Sequence, residues 1–141
     1  MTEIIRISKF LRFIFFADAT ISVVTGLLLT IGGKTLESYL GLPSQLLFYS
    51  GLSLFPFAAF LIYIATRKSI SKTSVWIVIT INALWTINSF LILLLGWVEP
   101  TTFGYAFVIF QALGVALLAD LEFIGLRKSE IIGFQDAHES I

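Results

Sequence analysis

The stretch VWIVITINALWTINSFLILLLGW, from Val75 to Trp97, decides the fold class of this chain. It carries no charge and is long enough to cross a bilayer, since a membrane-spanning helix needs about 20 apolar residues. Its interior nevertheless contains the polar residues Asn82, Trp85, Asn88 and Ser89. Polar groups inside hydrocarbon need partners on neighbouring helices. The stretch therefore predicts a membrane-spanning helix that packs against other helices.

The composition also indicates a membrane protein. Of the 141 residues, 57% are hydrophobic and 13% are charged, whereas about 25% of the residues of a soluble domain are charged. A soluble fold of this size could not bury so much apolar surface. The formal net charge is zero, and no basic patch is large enough to make nucleic acid a partner. We therefore expect the protein to contact membrane lipid.

The chain divides into apolar runs separated by polar segments. Four such runs predict an all-α transmembrane four-helix bundle in one membrane domain, residues 1–128, followed by a polar cytoplasmic tail, residues 129–141. Pro56 lies inside the second run, where it removes a backbone hydrogen bond and predicts a kink. The short VEPTT connection makes the last two spans antiparallel neighbours. The approximate spans are residues 10–31, 44–65, 75–97 and 102–126.

The positions of lysine and arginine predict the orientation. Eight of the nine cations lie in the N-terminal segment, in the RKSISKT loop or directly after the fourth span, and only Lys34 lies on the opposite side. Short loops rich in lysine and arginine remain cytoplasmic. Both termini are therefore predicted to face the cytoplasm.

The two halves of the chain share a polar pattern. Asp18 aligns with Asn82 without a gap in the first and third spans, and the second and fourth spans both end in Arg-Lys-Ser, at residues 67–69 and 127–129. Two helical hairpins of the same orientation would form a parallel repeat. This duplication predicts that Asp18 and Asn82 lie at equal depth near the bundle axis, within hydrogen-bond reach.

The polar residues inside the spans are the candidates for a functional site. An aspartate within the bilayer is costly and is by default a functional-site hypothesis. Asp18 has no cation three or four positions away on its own helix, so a partner must come from elsewhere, with Arg12, Arg67 and Lys72 as expected donors. The candidate intramembrane site comprises Asp18, Asn82, Trp85, Asn88, Gln111 and Asp120.

These polar residues also have structural interpretations. Glu122 lies near Arg127 and Lys128, and is interpreted as a solvated carboxylate at the membrane interface. The amides and hydroxyls are often only hydrogen-bond links between helices, each worth about 0.6–2 kcal/mol. The interpretation as hydrogen-bond links between helices applies to Asn82, Asn88, Ser89 and Gln111.

Several kinds of chemistry are excluded. The chain has no cysteine, and its single histidine, His138, lies in the polar tail. Thiolate chemistry, c-type haem attachment and axial histidine ligation inside the membrane are therefore not available. No nucleophile with a base, metal-ligand set or phosphate loop occurs in the sequence. We expect no metal, no cofactor and no enzymatic activity.

Three short segments resemble a known group of proteins. GLP at 41–43, NALW at 82–85 and QALGVALLADLEFIGLRK at 111–128 resemble small four-span bacterial membrane proteins with no assigned activity. The resemblance implies the four-span fold and a location in the bacterial inner membrane, and it carries over no catalytic residue. The first span lacks the glutamate pattern that defines the small multidrug transporters, which weakens a drug-export function.

Three functions from different classes follow from these observations, and a membrane-embedded enzyme ranks last because the sequence contains no catalytic signature. In the first, the polar cluster binds or passes a small polar or cationic solute, or a proton. In the second, the protein is a non-catalytic interaction or assembly protein whose polar residues only hold helices or subunits together, including those of a homo-oligomer. A cavity open to one side favours binding, whereas a dry bundle favours the structural role.

Overall fold

The computed structural model describes residues 3–132, which form five helices and three short strands. In chain order these are β1 Ile4–Arg6, α1 Lys9–Ile31, α2 Gly33–Leu40, α3 Ser44–Ala65, β2 Ser69–Ser71, α4 Lys72–Leu94, α5 Thr102–Lys128 and β3 Glu130–Ile132. Four of the helices, α1, α3, α4 and α5, are long and apolar enough to cross a membrane. The predicted fold class, an all-α bundle of membrane-spanning helices, is confirmed.

Hydroxyl side chains determine where three of the long helices begin. The caps are Ser8, Ser71 and Thr101, which accept hydrogen bonds from the backbone N–H groups of Leu11, Ser74 and Gly104. Each cap satisfies a backbone donor that has no partner within the helix. Because Ser71 caps α4, that helix begins at Lys72, earlier than the predicted Val75. It ends at Leu94, before Gly96 adopts a left-handed φ of 70°.

The long helices pack as two pairs, α1 with α3 and α4 with α5. The predicted pairing of the last two spans is thus confirmed. Close approach of α1 and α3 depends on two glycines, because a Cβ at Gly51 would lie 2.7 Å from the Cβ of Leu29, and one at Gly26 would lie 3.0 Å from the Gly51 carbonyl oxygen. Small residues let membrane helices approach closely. The helix α3 also continues through Pro56 to Ala65 without a break.

The two pairs meet at both ends of the bundle. At one end Gly125 of α5 packs on α1, where an added Cβ would lie 2.8 Å from Cδ1 of Leu11. At the other end Gly104 packs directly on the backbone of Leu40, the last residue of α2. The Thr101 N–H donates to the Leu40 carbonyl at 3.0 Å and holds this junction together. The connection between the first two spans is therefore a helix that links the two pairs.

A three-stranded antiparallel sheet covers the Gly125 end of the bundle, with β1 between β2 and β3. Its strands come from the segment before α1, the loop before α4 and the first residues of the predicted tail. The sheet brings together the three segments that carry eight of the nine cations. Strands of three residues are too short to give a periodic pattern, which is why the sheet was not predicted. The rest of the predicted tail, 133–141, with His138, lies outside the described residues.

The buried apolar core is divided into two clusters. The cluster beside the sheet includes Ile5, Leu11, Phe15, Leu61, Ile64 and Val75. The cluster at the opposite end consists of Leu29, Leu40, Leu42, Leu47 and Val108. Large apolar side chains also cover the outside of the bundle, with Ile31 and Phe110 each 81% exposed. An apolar exterior on helices of this length is suited to contact with lipid, and the protein is a multi-pass membrane protein.

Candidate functional site

Two carboxyl groups and one amide meet between the two apolar clusters. Nδ2 of Asn82 donates one hydrogen bond to Oδ2 of Asp18 and another to Oε1 of Glu122, both at 2.8 Å. The three residues are 4%, 2% and 0% exposed, respectively. Because both bonds start from one nitrogen, the two acceptor oxygens lie no more than twice 2.8 Å apart. One amide thus connects α1, α4 and α5.

The predicted approach of Asp18 and Asn82 is confirmed. Their depths also correspond, because Asp18 follows its helix cap Ser8 by ten residues and Asn82 follows Ser71 by eleven. One residue of helix is about 1.5 Å of rise. The internal duplication from which the approach was predicted remains a prediction.

Glu122 is a member of this cluster, and its interpretation as a solvated interfacial carboxylate is wrong. Its side chain is fully buried, and its Oε2 has no hydrogen-bond partner among the residues described. Glu122 is buried because it lies on the face of α5 that points into the bundle. Glu122 lies eleven residues after Gln111, about three turns, so both point into the bundle. That shared face was present in the sequence, but the nearby Arg127 and Lys128 pointed to the wrong environment.

No lysine or arginine side chain in the described part of the chain forms an ion pair with either buried carboxyl group. Arg12, Arg67 and Lys72 contact, respectively, the Arg67 carbonyl at 3.0 Å, the Tyr63 ring at 5.7 Å from its centroid and Glu3 at 3.3 Å. The expectation that these cations neutralise Asp18 is therefore wrong. Long cationic side chains near helix ends extend toward the polar region, where their charge stays hydrated.

A second polar network links α4 and α5. Nε1 of Trp85 donates to Oε1 of Gln111 at 2.7 Å, and Nε2 of Gln111 donates to the Ser89 hydroxyl and to the Val108 carbonyl, both at 2.9 Å. The Ser89 hydroxyl in turn donates to the Trp85 carbonyl at 2.8 Å. Nε1 of Trp85 and Nε2 of Gln111 therefore both have acceptors, and the network holds the Trp85 ring in one orientation.

Two of the six predicted site residues, Asn88 and Asp120, are exposed and take no part in the cluster. Asn88 follows Asn82 by six residues and Asp120 precedes Glu122 by two, which places each on a different helix face from its buried neighbour. The structure brings together the other four, in two adjoining groups. These are Asp18 with Asn82, and Trp85 with Gln111.

A cavity of about 440 Å³ lies beside the polar cluster. All four long helices contribute to its walls, which are mostly apolar. Among the described residues that line the cavity, Asp18 alone is charged, and Asp18 and Asn82 lie at the end of the cavity nearer the sheet. Glu122 does not line the cavity. The cavity thus has access to one carboxyl group of the pair but not to the other.

The cavity reaches the membrane-facing surface of the bundle. Two of its lining side chains, Ile21 and Phe110, are also 49% and 81% exposed. Gly114 of α5 contributes to the opening, because a Cβ added there would meet no atom within 4 Å. The two helix pairs are therefore in close contact at Gly125 and Gly104, are joined by the Asn82–Asp18 hydrogen bond, and are separated along the cavity beside that bond. Glycine packing at the ends and space in the middle produce one cleft open toward lipid.

Searches of protein families, of curated proteins and of solved structures found no match to this chain.

Proposed function

We propose that this protein is a membrane-embedded binding protein for a small amphipathic ligand, whose apolar body occupies the cavity and whose polar group binds Asp18 and Asn82. The observation that carries the proposal is the cavity of about 440 Å³ with apolar walls and these two side chains at one end. Small-molecule sites typically have volumes of about 300–1,000 Å³, apolar walls and a few fixed polar groups. The apolar walls favour a ligand with an apolar body over a fully polar solute.

The polar end of the cavity is organised before any ligand arrives. Oδ2 of Asp18 is held by Asn82 at 2.8 Å. From the part of the chain that the structure describes, its other oxygen, Oδ1, accepts one long hydrogen bond, from the Ser22 hydroxyl at 3.5 Å. Each carboxylate oxygen can accept about two hydrogen bonds. Oδ1 therefore has acceptor capacity for a ligand, while the Asn82 bond keeps the carboxyl group in place.

Filling the cavity from Gly114 tests the proposal. We expect Gly114→Leu to fold normally, because a side chain there starts in open space and leucine favours a helix over glycine by about 1 kcal/mol. Binding of octanol, or of hexyltrimethylammonium, should weaken at least about tenfold, because the added side chain occupies the site. Titration calorimetry and thermal unfolding of the purified protein in a nonionic detergent measure both effects.

The matched control is Ala106→Leu, which adds the same side chain at an exposed position of α5 outside the cavity lining. It should leave ligand affinity unchanged. Unaltered affinity in Gly114→Leu would contradict binding in the cavity. If no amphipathic probe of any charge binds the wild-type protein saturably, the proposal fails and the assembly function is favoured.

The assembly function is supported by a different observation. Asn88 and Asp120 present polar groups on the outside of two apolar helices. Polar side chains on membrane helices form hydrogen bonds with partner helices. In this alternative the partner helices belong to a second copy of the chain or to another membrane protein, and the buried cluster only holds the bundle together.

We further propose that the protein lies in the bacterial inner membrane with both termini in the cytoplasm. The support for the orientation is the collection of eight cations at the sheet end of the bundle. The support for the location is the resemblance of the NALW and QALGVALLADLEFIGLRK segments to small four-span bacterial membrane proteins.

Cysteine labelling in intact cells tests the orientation. We expect Ser38→Cys, in α2, to react with a membrane-impermeant thiol reagent, and Thr73→Cys, at the start of α4, to react only after the membrane is disrupted. Both positions are exposed and lie at opposite ends of the bundle. The absence of cysteine from the sequence removes background labelling. The opposite result would show that the sheet end faces outward.

A further inference from the structure

We infer that the ligand of the cavity is an organic ammonium cation with apolar substituents, and that it binds in exchange for a proton held by the cluster of Asp18, Asn82 and Glu122. This inference rests on the proposed function and names the class of its ligand. Three observations carry it: the two carboxyl groups have no cationic partner among the described residues, Asp18 rather than Glu122 lines the cavity, and the cavity walls contain aromatic rings.

The first observation is that nothing in the described chain neutralises the two carboxyl groups. An ionised carboxylate is prohibitively costly in a low-dielectric interior unless it is paired, and here two lie within twice 2.8 Å of each other. Asn82 supplies hydrogen bonds but no positive charge. The site must therefore be neutralised either by protons or by a cation from outside the chain.

The other titratable groups on the packed helices are directed elsewhere. On α5, Asp120 is exposed, and Arg127 and Lys128 lie over the rings of Phe123 and Phe10. On α1, Lys9 is exposed and Arg12 donates to the Arg67 carbonyl. On α4, Lys72 pairs with Glu3. The titratable residues of α3 are Tyr49 and Tyr63, and both are exposed. Tyr105, the remaining titratable residue of α5, is exposed. Among the described residues of the four long helices, Asp18 and Glu122 therefore face only each other as titratable groups.

The second observation is the asymmetry of the pair. Asp18 lines the cavity and has acceptor capacity at Oδ1, whereas Glu122 accepts from the same Asn82 nitrogen but is not part of the lining. A cation in the cavity thus reaches Asp18 first. With both carboxyl groups protonated the empty site is neutral. When the cation binds, the O–H bond of Asp18 breaks, the proton passes to water, and the ammonium–carboxylate pair is again neutral.

The third observation is the aromatic content of the walls. The cavity is lined by Phe57, Trp85, Phe107 and Phe110. Aromatic faces attract cations, and tryptophan does so most strongly. The Trp85 ring is held by its hydrogen bond to Gln111 at 2.7 Å, so its face needs no reorganisation. Among the described residues that line the cavity there is no cationic side chain that could pair with an anion. The chemistry of the walls therefore selects a cation with an apolar body.

The test compares three probes of similar chain length: hexyltrimethylammonium, octanol and octanoate. The full-length protein in nonionic detergent is titrated by calorimetry in buffers of different ionisation enthalpy. We expect hexyltrimethylammonium to bind most tightly, to release one proton per bound cation, and to lose affinity about tenfold for each unit of pH decrease in the acid range. Octanol should bind more weakly and without dependence on pH, and octanoate should not bind.

Variants assign the exchanged proton. Asp18→Asn retains a hydrogen-bonding side chain but cannot ionise, so it should lose proton release and at least tenfold of the cation affinity while still binding octanol. Asp120→Asn removes an exposed carboxyl group from α5 and should behave as wild type. Retained octanol binding also reports that the Asp18→Asn protein is folded.

Equal affinities for the cation and octanol, with no proton release, would overturn this inference. The proposed binding function would still stand in that case, provided that Gly114→Leu blocks both probes. Binding of neither probe would overturn the inference and the proposed function together. Proton release that persists in Asp18→Asn would also overturn the exchange at Asp18.

Discussion

Replacing Gly104 with alanine is expected to destabilise the bundle by about 3 kcal/mol or more, because Gly104 is already in contact with the backbone of Leu40 and leaves no room for a side chain. The added Cβ would overlap the carbonyl oxygen of Leu40 and lie 2.8 Å from Cβ of Pro100. Neither atom belongs to the end of a flexible side chain. The Thr101 N–H also holds the Leu40 carbonyl at 3.0 Å, so relief of the overlap would break the junction of α2 with α5.

The matched control is Gly114→Ala on the same helix, where the new methyl group meets no atom within 4 Å. Alanine there should raise stability by up to about 1 kcal/mol, because glycine is the poorer helix former. Thermal unfolding in detergent, followed by tryptophan fluorescence, compares the two variants with wild type. Equal melting temperatures for Gly104→Ala and wild type would show that the α2–α5 junction adjusts without cost.

The second large effect is expected for Asn82→Leu. The substitution removes both 2.8 Å hydrogen bonds to the buried carboxyl groups, and it leaves two polar groups inside the bundle without their shared donor. A buried polar group that loses its partner costs about 1–3 kcal/mol, so we expect a combined loss of about 3 kcal/mol. Because Asn82 connects three helices, the α1–α3 pair should also separate more readily from the α4–α5 pair.

Asn88→Leu provides the control, since Asn88 lies on the same helix but is exposed. Its effect on the free energy of unfolding should stay within about 0.5 kcal/mol. Unfolding of each variant by a denaturing detergent, followed by tryptophan fluorescence, gives the comparison. If the two leucine variants proved equally stable, the Asn82 bonds would not hold the bundle, and the cluster would matter for ligand binding alone.

Substitutions at Asn82, Asp18 and Gly114 separate the structural role of the cluster from its proposed role in ligand binding. Asn82 holds both carboxyl groups, so its loss should reduce stability and binding together. Asp18→Asn keeps a side chain that can hydrogen-bond and should affect cation binding alone. Gly114 contacts neither group and controls only the space available. Together the three positions distinguish a binding protein with a built polar end from a bundle whose polar residues serve packing alone.

Several features of the fold could be predicted because they depend on local properties of the chain. The class and the number of spans follow from the length of the apolar runs and the cost of unpaired backbone in hydrocarbon. The approach of Asp18 to Asn82 followed from the matching polar positions of the first and third spans. The spans are predicted from residues close together in sequence, whereas the approach of Asp18 to Asn82 was predicted by comparing two spans whose polar residues are 64 positions apart.

Other features left no local signal. The helix α2 has no long apolar run, and its role depends on the contact of Leu40 with Gly104 in α5. The strands β1, β2 and β3 have three residues each and form only because three separate segments meet at one end of the bundle. The cavity is a consequence of where the two helix pairs touch and where they do not, which no single segment specifies.

Asp120 and Glu122, the two carboxyl groups of α5, show most clearly which features came from the sequence and which from the tertiary structure. By itself, the sequence determined that this chain is a helical membrane protein, that eight of its nine cations collect on one side, and that Asp18 needs a partner within the membrane. Only the tertiary structure decided that the partner network contains Glu122 rather than Asp120. The physical reason is that two residues of helix change the direction of a side chain by about 200°, and the rotation of a helix about its axis is set by the helices packed against it.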